Sequence, residues 1–304
     1  MRWIDRVYGD VAIDDPGILS LISTPTFRRL EGIRQAGPSA LAFPFKDVTR
    51  HEHSLGVYLL LRHFEAPRLE CIAGLLHDIS HTAFSHAVDF IVTSEEQDHH
   101  EELKPLFLNR PDLKAALAAI GLRPEQFYDD AVYPLLERPL PNLCADRLDY
   151  FFRDSLACGV STPSDVEEML LDLTILNGTI VFRSLTAARK AVHLFEQMNR
   201  DWWAGPVEAY IYNEFAIALN LAFEAGILTR DDLLGDDETV LRPLDEAHHP
   251  RIEAILRDIR RIDPEVIRDY RRKVEPKNRR IDPLVQTSDG PRKLSSLTSV
   301  NSRT

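Results

Sequence analysis

The chain has 304 residues, 44% of them hydrophobic and 28% charged, a composition that excludes a disordered or fibrous protein and suffices for one large domain or two small ones. A formal net charge of −12 argues against a protein built to coat nucleic acid, although local basic pockets stay open. No apolar run approaches the roughly 18 residues of a membrane span, Met1–Arg6 carries no apolar signal-peptide core, and Cys71, Cys144 and Cys158 are too few for a disulfide framework, so a cytoplasmic protein is expected.

In chain order the pattern is mostly helical. Asp14-Asp15-Pro16 is a capped helix start followed by Ile18, Leu19, Leu21 and Ile22. A second helix is expected from Phe27 to Gln35, ending at Gly37-Pro38. Segments 53–64 and 68–78 carry apolar residues too densely for surface helices and are assigned to the core. Leu171–Leu176 and Thr179–Phe182 alternate around Asn177-Gly178, the strongest short hairpin signal, so a small β-hairpin is expected near 171–183. Helices resume at about Ser184–Met198 and Pro206–Ala225, the latter stopped by Gly226. Residues 251–280 hold eleven Lys or Arg against six Asp or Glu, with Ile252, Ile255, Leu256 and Ile259 giving one apolar face. The last stretch, 281–304, is rich in Ser and Thr and is read as a tail. The fold class expected is mainly α. Residues 1–276 form one domain with a site core at about 27–155 and a helical part at about 184–276, and 277–304 form a basic, then Ser/Thr-rich, tail.

Eight of the eleven histidines fall between residues 51 and 100, where an even scatter would put about two. Three fragments concentrate the chemistry: Arg50-His51-Glu52-His53-Ser54-Leu55-Gly56, His77-Asp78-Ile79-Ser80-His81 running on to His86, and Asp146-Arg147-Leu148-Asp149-Tyr150. Imidazole with carboxylate suits a divalent transition metal. Neighbours on a helix point about 100° apart, so His77 and Asp78 reach one ion only near a helix end or distortion. His77 and His81 share a face if that helix continues. His51 and His63 are expected to be surface or packing residues, and Trp202-Trp203 to form core or pocket wall. Competing motifs fail: His51-Glu52 and His100-Glu101 open zinc-protease patterns that Leu55 and Lys104 do not close, and no Gly-x-Ser-x-Gly elbow, P-loop or dinucleotide fingerprint occurs.

In these residues the chain resembles the HD phosphohydrolase superfamily, named for its His-Asp doublet, and within it the deoxynucleoside triphosphate triphosphohydrolase branch. Arg-x-x-His-Ser-Leu-Gly (Arg50–Gly56), His-Asp-x-x-His-x-x-Phe-Ser-His (His77–His86) and Asp-x-x-Asp-Tyr-x-x-x-Asp (Asp146–Asp154) occur in order. The resemblance implies an HD-type helical bundle with His53, His77, Asp78 and Asp146 holding one divalent ion, whether Mn, Fe, Mg, Zn, Co or Ni. It implies His86 as the general acid, with His100 and Asp89 as its relay. His81, His86 and His100 are candidate proton donors near neutral pH. Arg50 and Arg147 are candidate phosphate clamps, and Tyr150 and Asp154 are implied to face the sugar. The implied substrate is a nucleotide or other phosphate ester, with a dNTP first, and the implied assembly is a homo-oligomer. The alternatives are a nucleotidase or phosphodiesterase acting on another ester, or an HD-scaffold nucleic-acid-binding or regulatory protein using its basic segment.

Overall fold

The computed structural model describes residues 1–84, 99–262, 267 and 279–298; of residues 99–101 and 298 it describes the backbone alone. The chain opens with an antiparallel hairpin, β1 (Arg2–Asp5) and β2 (Gly9–Ala12). Asp15 then caps α1 (Pro16–Ile22) by accepting from the amides of Gly17 and Ile18. α2 (Pro25–Arg28) passes directly into a 3-10 turn at Arg29–Gly32. The helix expected over Phe27–Gln35 therefore stops early, because the backbone of 33–35 pairs elsewhere: Gln35 N donates to Val48 O and Arg50 N to Ile33 O. Gly32 also lies against Asp236, where a Cβ would stand 2.7 Å from Oδ2.

The short α3 (Ser39–Ala42) leads to α4 (Arg50–His63), capped by Thr49, and to α5 (Arg68–Leu76). These two pack antiparallel and nearly all of their residues between Arg50 and Leu61 and between Glu70 and Leu76 are buried, as the dense apolar pattern requires. α6 (His99–Leu108) and α7 (Pro111–Ala119) follow, then α8 (Ala145–Ala157), which crosses α4. α9 (Pro163–Asp172) carries a reciprocal Thr162–Asp165 cap. It absorbs the Leu171-Asp172 pair that the alternation assigned to the first strand.

The hairpin itself is present as β3 (Leu173–Leu176) and β4 (Thr179–Phe182), with Asn177 and Gly178 both at positive φ as a type I′ turn demands. α10 (Leu185–Met198), a π-helical turn at Asn199–Trp203, α11 (Pro206–Glu224), α12 (Asp237–Glu246) and α13 (Pro250–Arg260) complete the helical part. Ile252, Ile255, Leu256 and Ile259 are buried on α13, as the apolar face predicts.

The segment expected to be a tail is instead built into the fold over its described part. β5 (Leu284–Val285) runs parallel to β4, and β6 (Arg292–Lys293) runs antiparallel to β5, giving a four-stranded sheet that ends in α14 (Leu294–Thr298). Ile281, Val285 and Leu294 are buried, so a few apolar residues anchor an otherwise polar stretch. The fold is mainly helical. One buried cluster joins α1, α4, α5 and α7–α10, and a second joins α11–α13 with Ala83 and Phe84. No helix among the described residues is long and apolar enough to cross a membrane.

Candidate metal centre

α5 ends at Leu76, and His77 and Asp78 occupy the turn that follows. A helix end is one of the two settings, with a distortion, in which these neighbours could both reach one ion. Because the helix stops there, His81 reaches the site from a turn and not from the same helical face; its Nε2 lies 3.2 Å from Asp78 Oδ1. α4 supplies Arg50 and His53 from its first turn, and α8 supplies Asp146 from its own. Two helix N-termini and one C-terminus thus meet at a single point.

The candidate ligand atoms converge. His53 Nε2 stands 2.9 Å from Asp146 Oδ1 and 3.2 Å from His77 Nε2, and His77 Nε2 is 3.5 Å from Asp146 Oδ1. Asp78 Oδ1 is 3.3 Å from His77 Nε2, and its Oδ2 is 3.8 Å from His53 Nε2. The same Oδ2 accepts from Arg50 Nη1 at 2.8 Å. His53, His77 and Asp146 form one cluster of a size that could hold an ion, and Asp78 borders it under the Arg50 guanidinium. His77 Nδ1 lies 2.8 Å from the carbonyl of Gly74. With Nδ1–H donating to this carbonyl, the neutral form of the ring would present its Nε2 lone pair to the cluster. Two imidazoles and a carboxylate in this arrangement fit a divalent transition metal.

The electrostatics agree. Burial lowers the pKa of His53, but hydrogen bonding to Asp146 and the charges of Asp149 and Asp78 outweigh it and raise the ring to about 10. Burial likewise opposes protonation of His77, and Asp78 and Asp146 overcome it. Asp78 is held well below the carboxylate range against the effect of burial, by Arg50, His77 and His81. Protons on the two imidazoles offset the charge of the carboxylates around them.

The cluster opens on a cavity of about 580 Å³. Arg50, Lys46, Lys104, Arg147 and Arg279 reach its wall, as do Tyr150, Trp202, Trp203 and Tyr212. Trp202 and Trp203 therefore form pocket wall, whereas His51 packs edge-on against Phe27. Arg147, expected to clamp phosphate, is occupied by its own loop: Nη1 donates to Arg138 O at 3.0 Å and to Asn142 O at 2.6 Å. Tyr150 lies edge-on to Trp203, and burial raises its hydroxyl to about 12. Asp154 accepts from Trp203 Nε1 at 2.9 Å, and burial raises its carboxyl. Both line the cavity. His86 and Asp89 lie outside the described residues, and the same holds for the side chain of His100.

Sequence reasoning assigned no role to Asp149, Arg153, Glu137 or Lys104. Arg153 is fully buried and pairs with Asp149, Asp5 and Glu52 directly behind His53. Glu137 and Cys144 approach Asp146 from its other side, and burial, aided by the Asp146 charge, raises Glu137 to about 7. Lys104, almost fully buried, pairs with Asp130 on the cavity wall. Of these, only Asp149 and Arg153 stood within a recognised motif, and burial was their one missing signal.

A family model described as the HD domain matches residues 50–152, which span His53, His77, Asp78 and Asp146. The chain is 35% identical over 295 residues to the uncharacterized protein YdhJ of Bacillus subtilis, covering 95% of this chain and 90% of that one. It is 31% identical over 235 residues to the metal-dependent phosphohydrolase cns2 of Cordyceps militaris, covering 73% of this chain and 66% of that protein. With the deoxynucleoside triphosphate triphosphohydrolase SAMHD1 homolog of Dictyostelium discoideum it shares 24% identity over 302 residues, 85% of this chain but 57% of that one. A crystal structure of a hypothetical protein from Aquifex aeolicus has the same fold, with a TM-score of 0.67 at 20% identity over all of this chain and 93% of the other. A histidine, a His-Asp doublet and a distant aspartate brought to one point, in a chain so related over nearly its whole length, place it in the HD-domain family of metal-dependent phosphohydrolases.

Proposed function

We propose that the chain hydrolyses a phosphate ester of a nucleotide, with a deoxynucleoside triphosphate the first substrate to test. The observation that carries this reading is the convergence of His53, His77 and Asp146, beside Asp78, at the foot of a cavity with both cationic and aromatic walls. His53, His77 and Asp146 would hold the ion, with Asp78 beside them. A divalent ion there supplies Lewis-acid stabilisation of the charge developing on phosphoryl oxygens.

The chain's own groups supply the rest. Arg50, fixed by Asp78, directs a guanidinium at the cavity and is the leading phosphate contact. Tyr150, Trp202 and Trp203 offer flat apolar faces to a nucleoside, and Asp154, oriented by Trp203, offers an acceptor for a sugar hydroxyl. His86 is the proposed proton donor to the leaving oxygen, with His100 and Asp89 as its relay, and His81 is a second candidate. The chain is further proposed to act in the cytoplasm as a homo-oligomer; its three cysteines are free, as a reducing compartment favours.

The test is a hydrolysis screen with Mn²⁺, Fe²⁺, Mg²⁺, Zn²⁺, Co²⁺ and Ni²⁺ over dNTPs, NTPs, monophosphates and cyclic nucleotides. Inorganic triphosphate as product supports the dNTP reading. Release of orthophosphate from monophosphates moves the assignment to a nucleotidase. No metal-dependent turnover on any of these would refute it.

A further inference from the structure

We propose that Asp149 is a positioning residue for the metal centre: its carboxylate accepts the Nδ1 proton of His53 and thereby presents the Nε2 of that ring to the ion. The proposal rests on the metal-dependent reading above and extends it to a residue that touches neither ion nor substrate.

His53 is 1% exposed and its two ring nitrogens face different neighbours. Nε2 faces Asp146 and His77. Nδ1 is buried with no hydrogen bond of ordinary geometry, and Asp149 Oδ1 stands 3.4 Å from it. A metal-ligating histidine almost always donates its second N–H to a carboxylate or a carbonyl, which fixes the ring and raises the basicity of the ligating nitrogen. His77 has such a partner in the Gly74 carbonyl. For His53 the group at that position is Asp149.

Helical geometry makes this arrangement specific. Asp146 and Asp149 are three apart on α8, one turn along the same face. α8 therefore brackets the His53 ring, with Asp146 at one nitrogen and Asp149 at the other.

Asp149 is also unable to swing away. It is fully buried and accepts from Arg153 Nε at 2.6 and 2.9 Å and from the Tyr8 hydroxyl at 3.4 Å. Arg153, equally buried, donates in turn to Asp5 at 2.9 and 3.1 Å and to Glu52 at 2.9 Å. Glu52, next to His53 on α4, also accepts from Arg6. The network runs from the N-terminal hairpin to the back of the ring and holds its last carboxylate in place. A buried carboxylate with a full set of charged partners and an imidazole nitrogen beside it is a support built to a fixed position.

Calorimetric titration of the metal-free protein with Mn²⁺ tests this. Asp149→Asn is expected to weaken Mn²⁺ binding by about 10- to 100-fold, the usual effect of removing such a partner. Asp112→Ala, which takes from Thr26 the acceptor that ties α2 to α7 and belongs to no part of this network, is the stability control. It should lower thermal stability in a similar way while leaving Mn²⁺ affinity unchanged. In the zinc-loaded wild-type protein the His53 Nδ1 proton should give a downfield, exchange-protected NMR resonance that is lost in Asp149→Asn. Wild-type Mn²⁺ affinity in folded Asp149→Asn, or equal weakening in Asp112→Ala, would overturn the proposal. Should Asp149→Asn not fold, absence of the resonance from the zinc-loaded wild type would overturn it. A wild-type protein that binds no Mn²⁺ would instead remove the metal-dependent reading itself, and this proposal with it.

Discussion

Gly56 stands in the middle of α4, where glycine to alanine ordinarily stabilises a helix by about 1 kcal/mol. In this chain the sign reverses. A Cβ at Gly56 would fall far inside van der Waals contact of the Asp149 carboxylate and the Arg153 guanidinium. Neither can yield, because both are fully buried and Arg153 is tied to Asp5 and Glu52 as well. Overpacking alone costs about 1–3 kcal/mol, and prying apart a buried ion pair moves the loss towards about 3–5 kcal/mol. After subtracting the helix gain, Gly56→Ala should destabilise the fold by about 2–4 kcal/mol. Urea unfolding followed by circular dichroism reads this as a lower midpoint at unchanged slope. Mn²⁺ affinity should fall with it, since Asp149 is displaced from His53. A Gly56→Ala protein as stable as wild type, or more so, would refute the close approach and the account of this glycine.

Asp78→Ala should lose bound metal and hydrolysis while keeping most of the fold, because the deletion leaves an underbound ion in a water-accessible pocket; metal analysis and turnover check it. His86→Ala should keep the metal but lose about 10²–10⁴-fold in kcat on a nucleoside 5′-oxygen leaving group, and much less on a nitrophenyl ester that needs little protonation to depart. Equal losses on both substrates would move His86 from acid to phosphate contact. Metal binding should release protons: His53 is raised to about 10 and His77 is also raised, so both must deprotonate before they ligate. Apparent metal affinity should therefore rise with pH up to about 10, by up to about tenfold per unit for each proton released, as calorimetry in two buffers would show. In the metal-free protein the stabilisation from protonated His53 is complete below about 6.5 and is lost as pH rises through about 10, so its melting temperature should fall over that window.

Legibility in the sequence followed the range of the cause. The Asn177-Gly178 turn depends on two adjacent backbones with positive φ and could be read at once. Asp15 and its cap were legible for the same local reason. The early end of the helix at Arg28 was not, since pairing of 33–35 with 48–50 decides it. The sequence left open whether α5 ends, distorts or continues at His77-Asp78, and the structure ends it at Leu76. β5 and β6 are two residues long, too short to alternate, and the partner of β5 lies far up the chain. Glu137 reaches Asp146 only through tertiary folding and belongs to no motif. Arg147 stands beside the distal Asp146 as a candidate phosphate clamp, yet the loop carbonyls that occupy it are set by the path of 138–144. Burial was the quantity the sequence withheld most often at the site, and Arg153 and Lys104 carry its clearest marks.

The parallel pairing of β4 with β5 also sets a schedule for the newborn chain. Val181 and Phe182 find their partners in Leu284 and Val285, roughly 100 residues later. At about 5–20 residues per second, some 5–20 s of translation separate the two strands. During that interval β4 has its hairpin mate on one side and a bare edge of amides and carbonyls on the other, beside side chains that end fully buried. Such an edge is a template for any neighbouring nascent chain. Slower growth at low temperature, or fewer ribosomes loaded on each message, should therefore raise recovery of native protein more than any gain in final stability would. The vulnerable species exists only until Leu284 emerges.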